Sequence, residues 1–207
     1  KYLTEYEISK EDYNDYLNYQ RNVKLDDGKI YLAKNNNFIL RYKSVREYNN
    51  NFLMVILFRD PLTHAASLME KHQSYSKLQQ EDPFVLEYMN WLGHHEFGLN
   101  QKPFIFNSSN KAFLTGDKSS LDFWLQSWIN FYRYVLDIQH PNTMLVNYSS
   151  FCENPSAIIA AITEKVGIKT SLPEYSSFKN KRKIEAETSK EVLEEAEEIY
   201  GRLQDLV

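Results

Sequence analysis

The stretch from Leu53 to Met69 constrains the fold of this chain more than any other part of the sequence. Its first six residues, Leu53 to Phe58, are all apolar, which is typical of a strand buried on both faces of a parallel sheet. An Arg-Asp-Pro turn follows, in which Asp60 suits an N-cap and Pro61 suits the first position of a helix. Apolar residues then recur at helical spacing: Leu62, Ala65, Ala66 and Met69. The pattern predicts a strand, a tight turn and a helix, with the turn at the carboxyl end of the strand, where ligands bind in open α/β sheets.

Three polar residues, Arg59, Thr63 and Ser67, follow one side of the helix start at intervals of four. A guanidinium, two hydroxyls and the unpaired N–H groups of a helix N-terminus together favour a phosphate site. The same spacing is compatible with an arginine held by a carboxylate and two hydroxyls that face solvent. The residues alone leave both interpretations open.

The Arg59-Asp60-Pro61 turn followed by Ser67 resembles the 3'-phosphate-binding motif of sulfotransferases that use 3'-phosphoadenosine 5'-phosphosulfate (PAPS). The resemblance covers residues 29–168. Before the Arg59 motif, it includes Lys34 to Asn37 and Arg41. After the motif, it includes Trp128, the strand end Val146-Asn147-Tyr148 and Phe151 to Pro155. At one position the chain departs from the family pattern, because Ser149 stands where the family has a glutamate.

The resemblance implies transfer of a sulfuryl group from PAPS to an acceptor hydroxyl or amine, which leaves 3'-phosphoadenosine 5'-phosphate (PAP). It implies that Arg59 and Ser67 bind the 3'-phosphate and that Lys34 contacts the transferring group. Tyr148 should lie at the same sheet edge as Arg59 if the two strands are parallel. The acceptor itself, whether a sugar, a lipid, a peptide or a small metabolite, stays open.

A basic cluster near the end of the chain consists of Lys179, Lys181, Arg182 and Lys183. The resemblance implies that Lys181 and Arg182 close the 3'-phosphate site. A charge run of this kind is also typical of a solvated loop, and both interpretations remain open.

The family's glycine-containing phosphate loop is missing, because none of the six glycines forms a Gly-x-x-x-x-Gly-Lys-Ser/Thr pattern. Gly116-Asp117-Lys118-Ser119 imitates its end, but Ser119 with Asp122 is predicted to form the capping box of the next helix. We therefore expect the phosphate loop and its strand to lie in an N-terminal segment that this sequence does not include.

The catalytic base is the least defined residue. Cytosolic members of the family have a histidine two residues after the lysine, where this chain has Asn36, and an amide is not a base at neutral pH. We expect the base to be a carboxylate from the N-terminal segment, with His95 or His94 as the alternative within this chain. These histidines lie in a glycine-flanked loop that is either a mobile part of an acceptor pocket or an ordinary surface insertion. As neighbours in sequence they chelate a metal poorly, so no metal is expected.

Composition narrows the class of protein. With 207 residues and 43% hydrophobic content, one domain over residues 1–207 is expected. A formal net charge of −4 argues against nucleic acid as a partner. Cys152 is the only cysteine and no apolar run is long enough to span a bilayer, so a cytoplasmic protein with no membrane span is expected. Oligomeric state stays open.

Alternation of strands and helices predicts an α/β fold with a mostly parallel sheet. The resemblance specifies this as a three-layer, P-loop NTPase-like sulfotransferase fold. Further predicted elements are helices at 10–21, 37–48, 83–92, 119–139, 155–166 and 189–206, and strands at 29–33, 103–106 and 143–148. Two other functions remain open, a nucleotide-dependent kinase on a related fold and a non-catalytic nucleotide-binding or interaction domain.

Overall fold

The computed structural model describes residues 3–24, 26, 28–106, 115–169, 171, 173–178 and 187–207. The strands in these ranges are β1 (Leu3–Thr4), β2 (Met54–Phe58), β3 (Phe104–Ile105) and β4 (Thr143–Asn147). The α-helices are α1 (Lys10–Lys24), α2 (Tyr42–Tyr48), α3 (Pro61–Glu81), α4 (Pro83–Trp91), α5 (Leu121–Asp137), α6 (Tyr148–Glu153), α7 (Pro155–Lys165) and α8 (Lys190–Gln204). A 3₁₀ helix, Asn36–Arg41, runs directly into α2.

Both strand pairs among these residues are parallel, and each sheet has two strands. Strand β2 pairs with β4, with Met54 opposite Thr143 at one end and Phe58 opposite Asn147 at the other. Strand β1 pairs with β3 over two residues. Because the carboxyl ends of β2 and β4 lie side by side, the turns that follow them meet at one edge. The predicted α/β class with parallel strands is confirmed.

The core lies where α3, α5 and α8 pack together against β2. Helix α5 carries the long apolar stripe that its sequence predicts, and Leu125 and Val135 on it are fully buried. Phe58 of β2 and Leu203 of α8 are fully buried as well. The C-terminal helix is therefore an integral part of the core.

The strand, turn and helix predicted from residue 53 onward are present. The side chain of Asp60 accepts a hydrogen bond of 2.7 Å from the Thr63 N–H, so Asp60 is the N-cap of α3. Pro61 occupies the first turn, where its missing N–H costs nothing. Ala65 and Ala66 are buried, and Leu62 and Met69 pack against the core beside them.

A buried arginine fixes the strand pair at its other end. Arg46 on α2 is only 7% exposed and donates hydrogen bonds of 2.9–3.0 Å to the carbonyls of Asn50, Phe52 and Asn142. Its guanidinium also lies 3.8 Å from the centre of the Phe52 ring. Phe52 precedes β2 and Asn142 precedes β4, so Arg46 joins the starts of both strands. This contact was not foreseen from the sequence.

Several predictions about local structure are wrong. Strand β2 is not covered on both faces, because Leu57 is 48% exposed and faces away from the α-helical core. Residues 29–33 lack the strand pairing predicted for them, because none of the four described strands lies beside this segment. The apolar residues of α4 do not pack into the core: none of the α4 residues is buried, and Leu92, directly after the helix, is exposed.

The start of α5 is shifted by one residue from the prediction. Ser120, not Ser119, is the N-cap and accepts a hydrogen bond from the Asp122 N–H. Ser119 instead bonds to Asp117 in the preceding turn. At α1, Ser9 and Asp12 form a capping box, in which each side chain accepts a hydrogen bond from the other residue's backbone N–H.

Candidate functional site

A cationic site lies at the carboxyl edge of the β2–β4 pair. Arg59 follows β2 directly and Tyr148 follows β4, and the Arg59 guanidinium carbon lies 5.0 Å from the centre of the Tyr148 ring. The two residues are 89 positions apart in sequence, and only the parallel register brings them together. The predicted proximity of Tyr148 to Arg59 is thus present.

The hydroxyls predicted beside Arg59 lie on the first two turns of α3, both half-buried. The Ser67 hydroxyl donates a hydrogen bond of 2.9 Å to the Thr63 carbonyl. To donate to a phosphate it must rotate about χ1, away from that carbonyl. The backbone N–H of Thr63 is already bound by Asp60, so the helix N-terminus offers an anion less than the sequence indicated. An anion here would be bound mainly by side chains.

Tyr148 has a second neighbour in Cys152, one turn later on α6. A hydrogen bond with the Cys152 side chain, together with burial, raises the pKa of the Tyr148 hydroxyl, while the Arg59 charge acts in the opposite direction. The tyrosine therefore stays neutral at physiological pH and can donate a hydrogen bond.

A cavity of about 1020 Å³ opens on the exposed face of β2, between α1, α3, α5 and the loops that lead to them. Its wall is strongly aromatic: Tyr16, Tyr31, Phe38, Phe97, Trp124 and Trp128 all contribute. The charged residues on the wall are Lys34, Lys102 and Glu96. Buried polar atoms of Gln101 and Trp128 on this wall have no hydrogen-bond partner in the described part of the chain. Unpaired buried polar atoms are rare in folded proteins and indicate contact with water or a ligand.

His64 connects the cavity with the cationic site. It lies on α3 and lines the cavity, and burial, followed by the charge of Arg59, lowers the pKa of its imidazole to about 4. The imidazole is therefore neutral at physiological pH and is a weak base.

This shift predicts acid lability. In the unfolded chain the histidine has its ordinary pKa of about 6.5. Below that pH the unfolded state therefore binds a proton that His64 in the folded state does not bind. The contribution of His64 to the free energy of unfolding is constant above pH 7 and decreases as the pH drops from 6.5 toward 4. We expect the free energy of unfolding to fall by roughly 2 kcal/mol more between pH 7 and pH 4.5 than it does in His64→Gln. Urea titrations at both pH values check this, and parallel losses in the two proteins would contradict it.

The loop that carries the two histidines is anchored on α3. The Gly98 N–H donates to His72 Nδ1 at 3.2 Å, and the Leu99 N–H donates to the buried Gln79 side chain at 2.7 Å. Gly98 has φ +84°, and a Cβ at this position would lie 2.2 Å from the Gln79 amide oxygen. Glycine is therefore required for the loop to approach α3 so closely. These contacts favour a fixed part of a pocket over the mobile loop considered from sequence.

Glu96 is the residue that sequence analysis missed. Its Oε1 accepts a hydrogen bond of 3.4 Å from Asn36 Nδ2, and its Oε2 lies 3.7 Å from His94 Nδ1. Its side chain is only 14% exposed, whereas that of His94 is 53% exposed. The sequence does show a carboxylate next to two histidines in a segment flanked by glycines, and this was the signal that could have indicated Glu96. Its contact with a segment 60 residues away could not be read from the sequence.

The remaining predicted residues are placed as follows. Lys34 is exposed and lines the cavity, two residues before Asn36. His95 is partly buried, and burial, then Lys102, lowers the pKa of its imidazole, an effect that Glu96 opposes. Lys181 and Arg182 lie outside the described residues. Among the residues described, no group of three His, Cys, Asp or Glu side chains could hold a metal ion.

Comparison with models of known protein families, with curated proteins and with solved structures gave no significant match. None of the helices in the described ranges is long and apolar enough to cross a membrane. The function is therefore inferred from the site: a cationic edge that His64 connects to an aromatic cavity, with Glu96 and Lys34 on the cavity wall.

Proposed function

We propose that the protein is a sulfotransferase that moves a sulfuryl group from PAPS to an acceptor hydroxyl or amine. The observation that carries the proposal is the position of Arg59, at the carboxyl ends of two parallel strands and beside the start of α3. Ligands bind at this edge in α/β proteins, and a guanidinium there is suited to a phosphate.

In this proposal the 3'-phosphate of PAPS is bound by Arg59, with Tyr148 and Ser67 as hydroxyl donors and Thr63 beside them. Tyr148 stacks under the guanidinium and limits the directions in which it can point. A bidentate contact to two phosphate oxygens follows from the planar shape of the guanidinium. Lys181 and Arg182 are proposed to add positive charge to the same phosphate.

The transferring group would then point toward the cavity, where Lys34 supplies a cation. Charge spreads over the sulfuryl oxygens and the leaving phosphate oxygen during in-line transfer, as it does in phosphoryl transfer. The protein's contribution is to position both substrates and to neutralise this charge. The three-layer, P-loop-like arrangement and a cytoplasmic location belong to the same proposal.

Calorimetric titration tests the choice of cofactor. We expect PAP to bind at least about tenfold more tightly than ATP, because only PAP carries the 3'-phosphate that Arg59 would bind. Equal or tighter binding of ATP would favour a kinase instead. Tight binding of PAP without turnover of PAPS would favour a non-catalytic nucleotide-binding domain.

A further inference from the structure

We propose that Glu96 is the general base of this reaction and that it takes the proton from an acceptor hydroxyl held in the aromatic cavity. The assignment rests on the proposed function, since it specifies the chemistry of the same site. It replaces the earlier expectation of a carboxylate from an N-terminal segment with a residue of the described chain.

The Glu96 carboxylate lies where it can reach an acceptor in the cavity. Glu96 lines the cavity and its side chain is mostly buried. Asn36 holds one of its oxygens, and His94 lies near the other. A carboxylate oxygen accepts more than one hydrogen bond, so each oxygen retains capacity for an acceptor O–H.

Hydrogen bonds to α3 hold the segment around Glu96 in place. The loop around Glu96 is fixed to α3 through His72 and Gln79, and the Lys102 N–H donates to the His95 carbonyl at 2.8 Å. A catalytic group acts efficiently when the surrounding hydrogen bonds hold it in one geometry.

The side chains next to Glu96 are less suited to take the proton. Asn36 cannot accept a proton as a base, but its amide orients Glu96, which makes it a positioning residue. The His94 side chain is 53% exposed, and His94 is not among the residues that line the cavity. His95 is not among the residues that line the cavity either, whereas Glu96 is.

The reaction balances without a further reagent. The acceptor oxygen forms a bond to sulfur while the bond between sulfur and the 5'-phosphate oxygen of PAPS breaks. The electron pair of the broken bond leaves with PAP, and the acceptor proton passes to Glu96. Lys34, on the same cavity wall, offsets the charge on the sulfuryl oxygens.

The test uses water as the acceptor, so that no specific acceptor has to be known. Conversion of PAPS to PAP and inorganic sulfate is measured together with PAP affinity by calorimetry. We expect Glu96→Gln to lower kcat about 100-fold and to change PAP affinity less than twofold. Formate should restore part of the activity of Glu96→Ala but none of that of Glu96→Gln, because only the smaller side chain leaves room for it. Glu87→Gln, at an exposed position on α4, is the matched control and should behave as wild type.

The outcomes separate the two proposals. Wild-type kcat in Glu96→Gln overturns the role of Glu96 alone. No sulfate release by a wild-type protein that binds PAP overturns both proposals, since it favours a non-catalytic nucleotide-binding domain. Failure of the wild type to bind PAP overturns the proposed function and the role of Glu96 with it. If Glu96→Gln does not fold, Glu96→Asp keeps the carboxylate at a shorter reach, and an unchanged kcat in that variant contradicts the assignment.

Discussion

Replacing Arg59 by alanine is expected to weaken PAP binding about 10- to 100-fold. A hydrogen bond to a charged group contributes about 1.5–3 kcal/mol, and each 1.4 kcal/mol corresponds to a factor of ten in affinity. Arg59 is the charged group beside Tyr148 at the edge where β2 and β4 end. Ser67→Ala removes one neutral donor that is already engaged with the Thr63 carbonyl, so its loss should be smaller, about fivefold.

The identity of the phosphate is tested with a second ligand. Adenosine 5'-phosphosulfate lacks the 3'-phosphate, so its affinity should change less than threefold in Arg59→Ala. Arg133→Ala provides the matched control, since Arg133 forms its ion pair with Glu195 on the helical side of the molecule. Equal losses of affinity for PAP and for adenosine 5'-phosphosulfate in Arg59→Ala would contradict the assignment of Arg59 to the 3'-phosphate, even if Arg59 contributed to the binding of both ligands.

Replacing Arg46 by methionine is expected to lower the free energy of unfolding by about 4 kcal/mol. The substitution keeps an unbranched apolar stem but removes donors to three carbonyls, those of Asn50, Phe52 and Asn142. Carbonyls that lose their partner in a buried environment each cost about 1–3 kcal/mol. Because Arg46 joins the starts of β2 and β4, the loss should also loosen the strand register that places Arg59 near Tyr148.

Urea denaturation measures this effect, and Lys43→Met on the same helix is the control. Lys43 is 53% exposed and pairs with Glu5, whose side chain is 18% exposed and also accepts a hydrogen bond from the Tyr134 hydroxyl, so removal of Lys43 should cost about 1–2 kcal/mol. A loss for Arg46→Met as small as that for Lys43→Met would show that water reaches the three carbonyls and that Arg46 does not join the strands.

The sequence by itself determined the elements whose causes are local. The apolar run that becomes β2, the Asp60 cap, Pro61 and the helical spacing of Ala65 and Ala66 lie within a few residues of one another. Helix α5 was equally clear from its 3.6-residue period, and Gly167 ends α7 with the positive φ that a helix C-terminus favours. Backbone preference and side-chain periodicity act over one or two turns, so a single sequence displays them directly.

Burial was harder to predict than secondary structure. The six apolar residues before Arg59 indicated a strand covered on both faces, but one face of β2 lines the cavity and Leu57 is exposed there. An apolar side chain shows that burial would be favourable, not which element provides the cover. The same reason explains α4, whose apolar residues suggested an inward face that the structure does not bury.

Only the tertiary structure decided which distant residues meet. The pairing of β2 with β4 sets Arg59 against Tyr148, and the loop after α4 sets Glu96 against Asn36, 60 positions earlier. Arg46 reaches a carbonyl 96 positions away. Such contacts depend on the packing of whole helices and on backbone groups that every residue shares, so residue types alone do not reveal them. The sequence thus determined the strand, turn and helix that present Arg59, and the fold determined that a carboxylate and an aromatic cavity belong to the same site.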